Sequence, residues 1–132
     1  MGAKRILVVD DHVDILEMLT VQLRCFDWDV TPARSGRDAL EKLKEFRPSL
    51  ILVDMWMPEM DGFELVRLVK QDAEYRDIPI LAITAMGMPE GRELCLQAGC
   101  DDCILKPFRF RELRERLTDL LCKSDLAAVK CL

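Results

Sequence analysis

Five residues in this sequence could do chemistry together: the adjacent pair Asp10 and Asp11, then Asp54, Thr84 and Lys106. Each stands where a short aliphatic run stops. Ile6-Leu7-Val8-Val9 leads into Asp10, Leu50-Ile51-Leu52-Val53 into Asp54, Ile80-Leu81-Ala82-Ile83 into Thr84, and Ile104-Leu105 into Lys106. Carboxylates held together repel by roughly 4 kcal/mol per pair at 4 Å and an effective dielectric of 20. Three of them in one place would call for a cation, and oxygen donors without a His or Cys cluster favour a hard one. Taken singly, the same residues have plainer readings. Asp54 would be a turn or helix-cap Asp, Thr84 a strand-end Thr, and Lys106 a surface charge before a helix.

What decides is whether the chain brings them to one place. The aliphatic runs are apolar on both faces and short, which is the pattern of strands buried in a parallel sheet. Between them lie stripes at helical spacing: Val13, Leu16, Leu19, Leu23 and Phe26; Ala39, Leu40, Leu43 and Phe46; Leu65, Val66 and Val69; and Leu113, Leu117, Leu120 and Leu121. Ser35-Gly36-Arg37-Asp38 has the form of a capping box before the second helix, and Pro48 stops it. Gly62 supplies the tight turn after a Met55–Asp61 loop, Pro89 suits the first turn of the fourth helix, and Gly99 its end. Trp28 to Thr31 is a weaker strand, with Trp28 packed beneath its edge. Arg111, Glu112, Arg114, Glu115 and Arg116 read as a solvated outer face of a last helix from Phe110 to Cys122.

Five strands alternating with five helices predict an α/β fold, a parallel sheet with helices on both faces. In such open sheets ligands bind at the C-terminal tips of the strands, where all five candidate residues would lie. Residues 1–122 form one domain, and 123–132 a tail, a linker's beginning or an extension of the last helix. Half of the 132 residues are apolar and a third charged, with no apolar run of membrane-spanning length. The net charge of −5 argues against direct nucleic-acid binding, which needs clustered Lys and Arg. No signal-peptide or myristoylation pattern opens the chain, so a cytoplasmic location is expected. Six cysteines then read as reduced thiols. Cys95, Cys100 and Cys103 have part of an iron–sulfur spacing, but a helix and a strand would have to present them. A Cys100–Cys103 redox pair is disfavoured because Asp101 and Asp102 between them would raise thiol pKa values.

The fragments Val8-Val9-Asp10-Asp11, Leu52-Val53-Asp54-Met55-Trp56-Met57-Pro58-Glu59-Met60-Asp61-Gly62, Ile83-Thr84-Ala85, Ala98-Gly99-Cys100-Asp101-Asp102 and Lys106-Pro107-Phe108 resemble, in order and spacing, a response-regulator receiver domain. The resemblance covers roughly residues 4 to 121. It implies a doubly wound, flavodoxin-like (βα)5 sheet in the order 2-1-3-4-5. It also implies a regulatory phosphoacceptor rather than an enzyme, one that assists its own phosphorylation and dephosphorylation. By resemblance, Asp54 receives a phosphoryl group from a histidine kinase or phosphotransfer protein. Mg²⁺ would be held directly by Asp11, Asp54 and the backbone carbonyl of Trp56, with Asp10 acting through water. Lys106 would neutralise phosphoryl charge, Thr84 would hydrogen-bond the phosphoryl group, and small Ala85 would keep the approach open. The Lys106–Pro107 bond would be cis. Output would pass to a protein target through the face of helix 4, strand 5 and helix 5, where a homodimer could also form.

Two departures stand out. The family commonly places an aromatic residue where Cys103 stands, which throws the usual Thr–aromatic coupling into doubt and puts output on the Thr84–Met88 loop and the fourth helix. Trp56 and Met86, large and apolar, would flank the entrance for attacking water and slow hydrolysis. His12 reads as a solvated loop residue, and Met55, Met57 and Met60 as loop packing rather than metal ligands. Competing functions are a receiver cut from a hybrid sensor kinase or a longer regulator, and a receiver-like module that is never phosphorylated. A haloacid-dehalogenase-type phosphatase would want an Asp where Trp56 stands, and a redox or iron–sulfur protein would be coloured or thiol-active.

Overall fold

Both faces of the central strands are apolar because alternate side chains of one strand enter opposite cores. The computed structural model describes residues 4–55, 62–85 and 90–130, the last seven as backbone only. Its elements alternate throughout: β1 (Arg5–Val9), α1 (Val13–Arg24), β2 (Asp29–Ala33), α2 (Gly36–Glu45), β3 (Leu50–Asp54), α3 (Gly62–Gln71), β4 (Ile80–Thr84), α4 (Glu90–Ala98), β5 (Asp102–Leu105) and α5 (Phe110–Lys130). The strands form one parallel sheet in the order β2-β1-β3-β4-β5, as the resemblance implied.

On one face Leu7, Val9, Ile51, Val53 and Ala82 pack against Ala39 and Leu43 of α2, Leu65, Val66 and Val69 of α3, and Cys95 of α4. On the other, Ile6, Val8, Leu50, Leu52 and Ile83 meet Leu16, Leu19 and Leu23 of α1 and Leu113, Leu117 and Leu120 of α5. The middle strands β3 and β4 are buried along their whole length, so any polar group at their tips has been carried into the interior.

The local signals read from the sequence have physical counterparts. The Asp38 N–H donates to Ser35 Oγ at 3.0 Å, capping α2. The reciprocal arm lands one residue early: Asp38 Oδ2 accepts from the Arg34 N–H at 3.1 Å, not from that of Ser35. Gly99 takes φ 115° at the end of α4, a conformation costly for a residue with a Cβ. Trp28 packs against the α1–α5 core, edge-on to Phe26 with ring centres 6.0 Å apart.

Three expectations change. Val13 opens α1 but is 47% exposed, because the first turn of the helix stands clear of the core that holds Leu16 and Leu19. The helix α5 does not stop at Cys122 but runs to Lys130. Arg116 is not part of a solvated face: it donates to both oxygens of Asp102, at 3.1 and 3.0 Å, and to the Cys103 carbonyl at 3.1 Å.

Candidate functional site

The sheet register sets the site. Val9 pairs with Val53, Asp54 with Ile83, and Thr84 with Leu105. Asp10 and Lys106 each follow their strand by one residue, so Asp10, Asp54, Thr84 and Lys106 crowd along one edge. Asp10 and Asp54 are nearly inaccessible, at 1% and 3% exposure, and Thr84 is fully covered. Lys106 reaches across β4 to place Nζ 3.0 Å from Asp54 Oδ2. Its own N–H is tied to the Thr84 carbonyl at 2.9 Å, and the Lys106–Pro107 peptide is cis. Ala85 follows Thr84 as an exposed residue. Trp56 and Met86 lie outside the described residues, as do Met57, Met60 and Pro89.

Asp10, Asp11, His12 and Asp54 each bring one ligand atom to within 4.8 Å of the others. Buried Asp10 Oδ2 and Asp11 Oδ1 have no hydrogen-bond partner. Asp11 Oδ1 does lie 3.2 Å from His12 Nδ1, but without hydrogen-bond geometry. Burial pushes the Asp10 carboxyl above its ordinary pKa. The His12 N–H, 2.9 Å from Asp10 Oδ1, and Lys106 pull it back down, while the nearby Asp54 charge adds to the rise. A buried carboxylate with an unused oxygen is costly unless something positive completes it. The oxygen-rich donor set of Asp10, Asp11 and Asp54 therefore fits a hard divalent cation such as Mg²⁺.

His12 is the exposed residue before α1 that was expected, its side chain 61% exposed and making no cap hydrogen bond, and its ring nitrogen also lies 3.3 Å from Asp10 Oδ1. Met55, just past the end of β3, is fully buried in the core, packing as expected and not placed as a metal ligand. Among the described residues the cysteine sulfurs do not gather as a metal-ligating group, which removes the support for an iron–sulfur site.

Sequence reasoning missed the role of Arg92, Asp102 and Arg116. Arg92 Nη1 donates to Asp102 Oδ1 at 3.1 Å, so one carboxylate on β5 binds guanidiniums from α4 and α5. The signal was there in part: an Asp at the start of a buried strand needs donors, and two arginines stood on the flanking helices.

Comparison with known proteins adds three findings. The family model of the response regulator receiver domain matches residues 6–118. The DNA-binding response regulator MtrA of Mycobacterium tuberculosis is 38% identical over 122 residues, covering 92% of this chain and 52% of that protein. The chain thus spans about half the length of the curated relatives it matches. Among solved structures, the chemotaxis response regulator CheY4 of Vibrio cholerae superposes with a TM-score of 0.84 at 32% identity, covering 90% of this chain and 99% of that one. The signal receiver domain of a signal transduction histidine kinase from Syntrophus aciditrophicus gives a TM-score of 0.85 at 35% identity, covering 92% of both chains.

Proposed function

This chain belongs to the response regulator receiver domain family of two-component signalling, and from that premise we propose that Asp54 is its phosphoacceptor. The observation that carries the reading is the meeting, at one sheet edge, of the Asp54 carboxylate with the Lys106 ammonium at 3.0 Å and with the unpartnered oxygens of Asp10 and Asp11.

The Asp54 oxygen attacks the phosphorus of a phosphohistidine on a histidine kinase or phosphotransfer protein. A P–O bond forms, the P–N bond breaks, and the imidazole leaves. Asp10, Asp11 and Asp54 would hold Mg²⁺, which when bound supplies positive charge for the phosphoryl oxygens. The Trp56 carbonyl would complete that set. Lys106, already in contact with Asp54, exchanges a carboxylate partner for a phosphoryl oxygen and so neutralises charge where it develops. The Thr84 hydroxyl is one strand away and donates to the phosphoryl group. Phosphorylation adds about −1.5 to −2 units of charge, giving the modified state contacts that the free state lacks. That differential binding is the switch. Small Ala85 keeps the approach to Asp54 open, Trp56 and Met86 would hinder attacking water, and with Cys103 in place of the usual ring the signal leaves through the segment after Thr84 and through α4.

The output reaches a protein target through α4, β5 and α5, whose surfaces are tied together at Asp102. The chain's role is regulatory, and it binds neither nucleic acid nor membrane directly. The described residues contain no helix long and apolar enough to cross a membrane. Relatives such as MtrA join a matching region to a comparable length of further chain, which favours work within a longer regulator as a second reading.

Incubation with acetyl phosphate and Mg²⁺ followed by intact mass measurement tests the phosphoacceptor. One phosphoryl group is expected on the wild type and none on Asp54→Ala. Equal modification of the variant would refute the assignment.

A further inference from the structure

Three cysteines meet where α4 joins β5, apart from the carboxylate site. Cys95, Cys100 and Cys103 are all buried, at 0%, 5% and 3% exposure, in one apolar cluster. The backbone explains why two of them touch. With Gly99 left-handed, the Cys100 N–H donates to the Cys95 carbonyl at 3.1 Å and the Gly99 N–H to the Leu96 carbonyl at 3.1 Å. This is a Schellman ending, in which the residue beyond the glycine packs its side chain on the one five positions earlier. The contact is ordinarily hydrocarbon on hydrocarbon. Here both residues are cysteines, and Cys103 lies in the same buried cluster.

We propose that Cys95 and Cys100 are a peroxide-oxidisable dithiol that closes to a disulfide across the C-terminal cap of α4. Hydrogen bonding from Cys100, more than that from Cys103, holds the Cys95 thiol below its ordinary pKa against the opposing effect of burial. Cys100 is pushed up by the same contact and by burial, and Cys103 is pushed up chiefly by burial. Either sulfur, once deprotonated, is stabilised by the S–H of the other, and Cys95 serves as the attacking one. The Cys95 thiolate attacks one oxygen of hydrogen peroxide, the O–O bond breaks, and hydroxide leaves with the proton Cys95 gave up, as water. Cys95 is now a sulfenic acid. The Cys100 sulfur attacks the Cys95 sulfur, the S–O bond breaks, and the hydroxyl leaves with the Cys100 proton as a second water. Two thiols are oxidised and one peroxide reduced.

Because both sulfurs are covered, reaction waits on local opening at the end of α4, where helices fray most readily. The exposed Cys25 and Cys122 provide an internal control for simple accessibility.

The full chain is treated with a small excess of hydrogen peroxide, quenched, unfolded, alkylated and mapped by mass spectrometry. The expected result is a loss of two alkylatable thiols out of six, a Cys95–Cys100 cross-linked peptide, and full recovery with dithiothreitol. Cys103→Ser should give the same link, and Cys100→Ser should leave a dimedone-reactive sulfenic acid on Cys95. The proposal fails if Cys95 and Cys100 stay alkylatable while Cys25 or Cys122 is oxidised, or if the link forms through Cys103. Thiol counts are blind to Asp54, so this outcome is separate from that of the phosphorylation test.

Discussion

Two assemblies of buried charge lie at opposite ends of β5, and they are balanced in opposite ways. At Asp102 one carboxylate receives the Arg92 and Arg116 guanidiniums, and its Oδ1 also accepts the Cys103 N–H at 2.8 Å. Positive charge is in excess and every carboxylate oxygen is used. Around Asp54 the proportion is reversed. Asp10, Asp11 and Asp54 cluster together, Lys106 meets Asp54 at 3.0 Å, and one buried oxygen each of Asp10 and Asp11 has no hydrogen-bond partner. A saturated cluster holds elements together, whereas an unsaturated one has ligating capacity to spare. The difference separates a strut from a site more clearly than residue type does, since both are built from Asp and a cation.

That contrast can be broken by experiment. Beyond the complete loss of phosphoryl acceptance in Asp54→Ala, the largest stability effect should come from Asp102→Asn, which strands two half-buried guanidiniums. A loss of about 2 kcal/mol in urea unfolding is expected. Mg²⁺ should act on the other cluster alone. At ten times its dissociation constant it should raise wild-type stability by about 1.4 kcal/mol, and it should do the same for Asp102→Asn. In Mg²⁺-free buffer Asp10→Asn should stabilise the protein by about 1 kcal/mol, what is left of a repulsion of roughly 4 kcal/mol at 4 Å and an effective dielectric of 20 once the lost attractions to Lys106 and the His12 N–H are set against it. The variant should lose most of the Mg²⁺ effect. Destabilisation by Asp10→Asn would make the carboxylate edge a strut after all. Arg92→Ala should cost least, about 0.5 kcal/mol, because Arg92 is 40% exposed and Arg116 keeps Asp102 paired.

The strands were legible because short runs apolar on both faces that stop at a polar residue read as buried strands, and the 2-1-3-4-5 order that sets their tips side by side came with the family resemblance. Asp54, Asp10 and Lys106 were found that way. Arg116 was not, since Arg and Glu alternating along a helix look solvated until the depth of β5 beneath it is known. Val13 misled for a related reason: periodicity assigns a face, but not how far along the helix that face stays covered. Helix α5 was cut short because the stripe of Leu113 to Leu121 lapses, although a backbone helix needs no stripe to continue. His12 was read from its solitude in the sequence, which says nothing of two carboxylates within 3.3 Å.

Gly62 carries one more consequence. A Cβ there would lie 2.4 Å from the Met55 Cα, and the Gly62 N–H is bonded to the Met55 carbonyl at 3.0 Å. The chain that leaves the sheet beside Asp54 is therefore stitched shut at its base before α3 begins. Whatever residues 56–61 hold, both ends of that excursion are nailed to the same spot. Substitution at Trp56 should therefore leave the anchorage of Asp54 intact, which equal urea unfolding of wild type and Trp56→Asn would check.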